Sequence, residues 1–249
     1  MKHLHLFETQ AQYESWKGGS DYVLPNVSYT VETNGVSYEP VHPMGLTYNM
    51  VDLGLPSGTL WADRNVGAES PEDYGLYFQW GDTVGYTLNG DKVFNSSSYW
   101  DSINGSNKNF NKYTTTKLTV LQPEDDAATI NMGSDWRMPT ASEIQELIDN
   151  TTVTIIDIYG NEVSTVPAYW RGIKLTSNIN SNSIFIPAAG NINGSTSGDQ
   201  RLFGYLWSSD LYKYAQYVYV MYFGGTNNIV SVKDMSRVIG IPIRGVCNK

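Results

Sequence analysis

The chain has 249 residues, of which 41% are hydrophobic, enough to bury a core in one large domain or two unequal ones. Its formal net charge is −9, and no cluster of Lys and Arg is interleaved with aromatic residues. Because this charge repels phosphate backbones, the composition argues against nucleic acid as a partner.

Residues 1–45 differ from the rest of the chain, because they contain all three histidines and three prolines at turn-like positions. The sequence predicts a strand over Lys2 to Phe7, a short helix over Thr9 to Trp16, and a hairpin in which Val27 to Val31 and Val36 to Tyr38 flank a turn at Thr33-Asn34-Gly35. So small a unit is not expected to be stable alone. We therefore expect it to pack on a partner chain or on a particle.

The amino terminus lacks the continuous apolar core of a secretory signal, and no later segment reaches the roughly 18 to 20 apolar residues of a membrane span. We therefore expect synthesis in the cytoplasm without membrane insertion.

Two helices are predicted in the middle of the chain, after a long loop over residues 83–122 that is rich in Asn, Ser, Thr and Gly. Pro123, followed by three acidic residues, favours a short helix whose acids face the positive end of its dipole. Thr140 and Glu143 form a capping-box pattern, and apolar residues then recur at helical spacing until Asn150.

The last third of the chain alternates as strands do. Gln216 to Phe223 is apolar on both faces, which predicts a central strand. Ile229 to Val232 and Val238 to Val246 follow, and Pro242 indicates an edge or a bulge because proline cannot donate a ladder hydrogen bond.

Two motifs carry a family resemblance for residues 46–249. They are Val-Asp-Leu-Gly-Leu-Pro-Ser-Gly-Thr-Leu-Trp-Ala at residues 51–62 and Trp-Arg-Met-Pro-Thr-Ala-Ser-Glu at residues 136–143. This region resembles the Fibrobacter succinogenes major paralogous domain, a remote relative of C-type-lectin-like domains. The resemblance implies an α+β fold, in which the first and last strands pair and Met50 to Leu53 lie beside Ile241 to Val246.

A second resemblance covers the start of the chain. Residues 2–9, Lys-His-Leu-His-Leu-Phe-Glu-Thr, and residues 23–29, Val-Leu-Pro-Asn-Val-Ser-Tyr, are similar to the amino-terminal unit of structural proteins of Bacteroides phages. The expected fold is thus an α+β, C-type-lectin-like domain over residues 46–249, with a small β-rich anchoring unit over residues 1–45.

Most catalytic chemistry is excluded by the residue inventory. Cys247 is the only cysteine, and no histidine follows His42, so Ser-His-Asp and Cys-His arrangements are not expected unless the amino-terminal unit reaches into the main domain. The Arg-Met-Pro-Thr-x-x-Glu stretch distantly resembles formylglycine-generating enzymes, but the cysteines that those enzymes need are missing. We expect no catalytic residue and no cofactor.

Paired carboxylates for glycoside hydrolysis remain open in principle, and the dense acidic cluster is Glu124, Asp125, Asp126 and Asp135. We favour a structural interpretation, in which the first three acids complement a helix start and Asp135 pairs with Arg137.

Metal binding is also not expected. The run from Gln122 to Asp125 is similar to the sugar motif of calcium-dependent lectins, but its place in the chain is wrong for that role. His3 and His5 on one strand face would line the axis of a threefold assembly, although a solvated or interfacial strand face is the plainer interpretation.

Tyrosines supply the best case for a binding surface, since the chain has 18 of them and seven tryptophans. A tyrosine offers a rigid apolar face and a hydroxyl group, which suit carbohydrate stacking and protein interfaces alike. Strand alternation assigns Trp207, Tyr217 and Tyr219 to the core. The residues that fit a core poorly are the predicted binding residues: Asp210, Tyr212, Lys213, Tyr214 and Gln216.

The function that these features predict is that of a non-enzymatic phage virion protein, a fibre or decoration of the head or tail. Residues 1–45 would attach to other virion proteins, the main domain would bind a host-surface glycan or protein, and the assembly would be a homotrimer. Two alternatives stay open: a purely structural virion decoration without a ligand, and a bacterial surface adhesin.

Overall fold

The computed structural model describes residues 32–33, 36–37, 46–88, 93–94, 112–165, 167–225 and 230–249. Near the amino terminus, Glu32–Thr33 (β1) and Val36–Ser37 (β2) pair antiparallel, with Thr33 opposite Val36. The second predicted strand, Val36 to Tyr38, thus contains β2, but Thr33, which was predicted in the turn, lies in β1, and the predicted first strand over Val27 to Val31 lies outside the described residues. The predicted strand over Lys2 to Phe7 and helix over Thr9 to Trp16 lie outside the described residues.

Strands dominate the rest of the described chain. They are β3 (Met50–Val51), β4 (Leu60–Ala62), β5 (Tyr77–Phe78), β6 (Thr151–Asp157), β7 (Glu162–Val163), β8 (Trp170–Ser177), β9 (Ser183–Pro187), β10 (Asn191–Asn193), β11 (Thr196–Gly198), β12 (Phe203–Leu211), β13 (Tyr217–Gly224), β14 (Val230–Ser236), β15 (Ile241–Pro242) and β16 (Val246–Cys247). The helical elements are a 3₁₀ turn over Pro123–Asp125, α1 (Ala127–Met132) and α2 (Ala141–Asp149). Neither helix is long and apolar enough to span a membrane.

The predicted α+β class is wrong, and the C-type-lectin-like architecture that went with it is corrected to a mostly β fold of small antiparallel sheets. The physical reason lies in the sequence after residue 150, which alternates in the manner of strands and is rich in β-branched and aromatic residues. Within the described residues, helix-start signals lead to only six residues of α1 and nine of α2.

The largest sheet has the order β7-β6-β8-β9, and a second has the order β12-β13-β14. A third sheet joins the two ends of the main domain in the order β16-β4-β3. The predicted direct pairing of Met50 to Leu53 with the last strand is also wrong, because β4 lies between β3 and β16. Pro242 lies in the two-stranded pair β5-β15, where an edge position needs no further ladder bond.

The sheet β12-β13-β14 separates two hydrophobic cores, and β13 is its central strand as predicted. Val218 and Val220 enter the core that contains Trp80 and Trp207. Met221 and Phe223 point to the opposite face, in the core that α2 covers with Ile144 and Leu147. Burial on both faces explains why β13 reads as a nearly continuous apolar run.

Two glycine–phenylalanine pairs fix the register of β12 against β13. Phe203 lies opposite Gly224, and Gly204 lies opposite Phe223. A Cβ atom built on either glycine would overlap the phenylalanine ring across from it. Each ring therefore packs over a glycine, and a slip of one residue would put side chains where the rings lie.

Helix α2 begins and ends as the sequence predicts. The Thr140 hydroxyl accepts a hydrogen bond from the Glu143 backbone N–H at 3.2 Å, and the Glu143 carboxylate accepts one from the Thr140 N–H at 2.8 Å. The helix stops before Asn150. The helix predicted at Pro123 is instead a 3₁₀ turn, after which the Asp126 carboxylate caps α1 by accepting from the Thr129 N–H at 2.9 Å.

Candidate functional site

The two motifs that carry the family resemblance meet each other in space. The Ser57 N–H and hydroxyl donate to the two Glu146 carboxylate oxygens at 3.0 and 2.5 Å, and the Thr59 hydroxyl donates to Glu143 at 3.0 Å. Arg137 donates to both Glu143 oxygens, at 2.7 and 2.5 Å. The motifs therefore hold α2 against the turn before β4, and their role in this structure is to stabilise the fold.

This junction also corrects the expected ion pair between Asp135 and Arg137, because the Arg137 guanidinium pairs with Glu143. Partial burial would raise the pKa of the Glu143 carboxyl, but the hydrogen bonds from Arg137 and Thr140 outweigh burial and lower this pKa to about 2. Backbone hydrogen bonds between Arg137 and Val246, at 2.9 and 2.8 Å, tie the junction to the last strand.

The acidic cluster has structural partners as well. Glu124 and Asp125 both pair with Lys112, and Asp125 also accepts from the Tyr113 hydroxyl at 2.5 Å. Asp126 caps α1, and burial raises the pKa of its carboxyl despite three backbone hydrogen bonds. Across the described ranges, no group of three or more His, Cys, Asp or Glu side chains is placed to hold a metal ion.

Four of the five predicted binding residues lie together in the loop that joins β12 to β13. We name residues 212–216 the tyrosine hairpin. Its turn is closed by hydrogen bonds from the Tyr212 N–H to the Tyr217 carbonyl at 3.0 Å and from the Tyr217 N–H to the Tyr214 carbonyl at 2.9 Å. Lys213, Tyr214 and Gln216 are exposed, Tyr214 by 55%, while Tyr212 is half-buried.

The aromatic rings of the tyrosine hairpin form a connected cluster. The Tyr212 ring meets Tyr214 edge-on at 6.2 Å and Tyr219 at 5.0 Å between centroids. The Lys213 ammonium lies 5.3 Å from the centroids of both Tyr212 and Tyr214, within the range of cation–π attraction. The loop thus presents ring faces, ring edges and one cation on a single surface.

Tyr219 belongs to this cluster, which the sequence did not predict. Of the three aromatic residues assigned to the core, Trp207 is fully buried, but Tyr217 and Tyr219 are half-buried. Tyr219 shares a face with Met221 and Phe223, and alternation identifies that face. It does not indicate how deeply each residue on that face is buried.

Asp210 differs from the other four predicted residues. Its carboxylate accepts a hydrogen bond from the Ala141 N–H at 2.6 Å, at the first residue of α2. Burial raises the pKa of this carboxyl, although the Ala141 hydrogen bond acts against the rise. Asp210 therefore connects β12 to the start of α2 and is not an exposed contact residue.

A buried arginine, Arg237, donates hydrogen bonds to the backbone of the tyrosine hairpin. The Arg237 guanidinium donates to the Ala215 carbonyl and to the Tyr113 carbonyl, each at 3.1 Å, and lies 4.9 Å from the Trp80 ring. The Arg237 N–H also donates to the Gln216 carbonyl at 3.2 Å. No sequence signal marks Arg237 for this role, because the two carbonyl partners of its guanidinium, at Tyr113 and Ala215, are distant in the chain.

The tyrosine hairpin is thus a preorganised, amphipathic surface that is suited to binding. It presents no nucleophile with an adjacent base, and its one cation lies among aromatic rings. No family model, curated protein or solved structure matches the chain.

Proposed function

We propose that this chain is a non-enzymatic phage virion protein whose main domain binds a ligand on the host surface through the tyrosine hairpin. The observation that carries the proposal is the cluster of exposed Lys213 and Tyr214 with half-buried Tyr212, on a loop to which Arg237 is hydrogen-bonded. The ligand is a glycan or a protein of the host envelope.

Rigid tyrosines make this loop favourable for binding. A tyrosine side chain brings a large contact area but loses little conformational entropy when it is immobilised. The backbone of the loop already makes hydrogen bonds with Arg237 and Tyr217 in the free protein. Binding therefore costs little further conformational entropy of the loop.

Attachment to the particle is assigned to residues 1–45, on the strength of their resemblance to the amino-terminal unit of Bacteroides phage structural proteins. The resemblance of the main domain to the Fibrobacter succinogenes major paralogous domain agrees with an origin among gut Bacteroidetes and their phages. The proposed assembly is a homotrimer on the virion, because fibre-like appendages usually have threefold symmetry.

The test of host binding uses the labelled full-length protein and intact host cells in flow cytometry. We expect Tyr214→Ala to reduce the apparent affinity at least about tenfold, as for an aromatic residue at the centre of an interface. Ile179→Ala is the matched control, since Ile179 is 57% exposed and Tyr214 55%. Equal binding by the wild-type protein and Tyr214→Ala would contradict the role of the tyrosine hairpin.

The particle location has its own test. Immunogold electron microscopy with an antibody against residues 46–249 is expected to label a fixed place on the virion. Label restricted to the bacterial envelope, with unlabelled particles, would overturn the virion assignment and favour a bacterial adhesin.

A structural virion decoration is the second candidate, and the same loop supports it, since tyrosine is enriched at protein–protein interfaces. In that case the tyrosine hairpin is buried between subunits. Tyr214→Ala would then lower the amount of this protein in purified particles. In the flow-cytometry assay, neither the wild-type protein nor the variant would bind host cells. The two measurements together separate the candidates.

A further inference from the structure

A second exposed aromatic surface lies at the other end of β12. We name Tyr159, Tyr169, Arg171 and Arg201 the arginine–tyrosine surface. Arg201 precedes the first residue of β12 by two positions, whereas the tyrosine hairpin follows its last residue. Because a nine-residue strand spans about 25–30 Å, the two surfaces are separate sites.

The fold brings the backbones of the two arginines close together. The Ala188 N–H donates to the Arg171 carbonyl, and the Arg201 N–H donates to the Ala188 carbonyl, each at 2.8 Å. The Arg201 carbonyl in turn accepts from the Trp170 N–H at 3.0 Å. The backbones of Arg171 and Arg201 are therefore linked through Ala188, which is hydrogen-bonded to both. They are also linked through Trp170, the residue before Arg171.

The tyrosines flank this pair. Tyr159 is 81% exposed at the turn between β6 and β7, where the Asp157 carboxylate accepts from its N–H at 2.8 Å. The Arg171 Nη1 atom lies 4.0 Å from the position that a Cβ on Gly160 would occupy, so the guanidinium reaches this turn. Tyr169 is 57% exposed and directly precedes Trp170.

Both guanidinium groups are unoccupied by the protein. Neither makes a hydrogen bond or an ion pair with any residue in the part of the chain that the structure describes, although both are exposed. The other four arginines of the sequence each donate to an oxygen of the protein: Arg64, Arg137, Arg237 and Arg244.

Neighbouring acids do not pair with these two arginines. Asp157 accepts from the backbone of its own turn, Glu162 pairs with Lys174, and Asp199 accepts from Asn191 at 2.7 Å and from Tyr205 at 3.2 Å. Asp157 and Asp199 keep their charges, so this end of the domain is not cationic as a whole, but its two guanidiniums remain open to an anionic ligand.

Arg201 also has a strained backbone, with φ at +62° in the left-handed region. That conformation is unfavourable for a side chain of this type, and glycine would relieve it. Retaining an arginine there is consistent with a use for its guanidinium.

We propose that the arginine–tyrosine surface binds a polysaccharide that carries carboxylate or sulfate groups. The two guanidiniums pair with successive anionic groups of the polymer, and the exposed tyrosine rings stack on its sugar rings. Arginine and tyrosine are also enriched at protein interfaces, so an acidic protein is the competing occupant that the test must exclude. The site goes beyond the host binding proposed for the tyrosine hairpin and does not depend on it.

The test is isothermal titration calorimetry of the full-length chain with three polymers: heparin for sulfate, polygalacturonate for carboxylate, and uncharged dextran. We expect binding of at least one anionic polymer, no binding of dextran, and weakening as salt is raised. Arg171→Gln and Arg201→Gln should each lower the affinity at least about tenfold, since each removes charge-assisted hydrogen bonds.

Lys174→Gln is the matched control, because Lys174 lies on the same strand as Arg171 but its ammonium is already paired with Glu162. We expect it to bind as the wild-type protein does. Arg201→Gly removes the guanidinium and relieves the backbone, so a folded variant that fails to bind separates loss of binding from loss of structure.

Three results would overturn the proposal. They are equal affinity for dextran and both anionic polymers, equal weakening by Lys174→Gln and Arg171→Gln, and capture of an acidic host protein with no polysaccharide bound. Tyr214→Ala distinguishes the two proposals, because it should reduce cell binding through the tyrosine hairpin but leave binding to the purified anionic polymer unchanged.

Discussion

Two buried arginines, Arg237 and Arg244, hold the carboxy-terminal segment against the rest of the domain. Arg244 donates to the Asn65 side chain and to the Phe185 carbonyl at 2.9 Å, and to the Ala62 carbonyl at 3.1 Å. Burial lowers the pKa of its guanidinium, although a nearby Asp63 charge acts against this. Arginine keeps its proton at neutral pH even when buried, so both residues connect distant segments as cations that donate to neutral oxygens.

Glu143 gives the sharpest pH prediction at the residue scale. Its folded-state pKa of about 2 lies below the unfolded value of 4.5. The stability that it contributes is therefore fully present above the unfolded pKa and is lost as the pH falls toward 2. We expect the wild-type protein to lose about 1–2 kcal/mol more than Glu143→Gln between about pH 5 and pH 2, allowing for solvent screening.

Urea unfolding at a series of pH values measures this difference. Glu72→Gln is the control for the substitution itself, because Glu72 is exposed. Parallel curves for the wild-type protein and Glu143→Gln over the acid range would show that the Arg137 pair contributes nothing to stability.

The pairing of β12 with β13 gives the prediction at the scale of elements. Gly204→Ala introduces a Cβ atom into the ring of Phe223, so the strands must separate or the ring must leave the core. We expect the free energy of unfolding to fall by about 1–3 kcal/mol, as for an overpacked core. Gly198→Ala is a matched control within another strand, because nothing lies within 4 Å of its added methyl group.

Thermal unfolding followed by circular dichroism compares the two glycine variants with the wild-type protein. A Gly204→Ala protein as stable as Gly198→Ala would mean that the Phe223 ring does not set the register. Stability alone is the readout here, since neither glycine lies in the tyrosine hairpin or in the arginine–tyrosine surface.

Elements set by local contacts were the ones that the sequence predicted. The capping box of α2 spans four residues, and β13 reveals its central place through its own alternation. The α+β class was wrong because both the family resemblance and the helix signals were given too much weight, although those signals lead to helices of only six and nine residues. Two short motifs identified a junction around α2, and that junction does not fix the class of the remaining sheets.

The candidate sites were predictable only where the signal lay in one continuous segment. Tyr212, Lys213 and Tyr214 are adjacent in the chain, so their unsuitability for a core was visible. Arg171 and Arg201 are 30 positions apart and come together through Ala188, a contact that no local pattern encodes. The hydrogen bond of Asp210 was not predictable for the same reason, since Ala141, whose N–H donates to its carboxylate, is 69 residues away.

At the scale of the whole molecule, the region after residue 45 supplies enough residues for two large hydrophobic cores. Their members run from Tyr48 to Cys247 in one core and from Val51 to Val246 in the other. We therefore expect a protein lacking residues 1–45 to fold, with a melting temperature close to that of the full-length chain, and to be absent from assembled particles.

Deleting residues 1–62 is the contrasting variant. It removes β4, which lies between β3 and β16 and carries Trp61 into the second core. That loss removes the only strand that pairs with β16 in the described chain and opens a cavity of tryptophan size, which costs about 3–5 kcal/mol for the side chain alone. If the 46–249 protein aggregates as the 63–249 protein should, the boundary near residue 45 is wrong. If it folds and still enters particles, attachment lies in the main domain, and the unit of residues 1–45 must have another purpose.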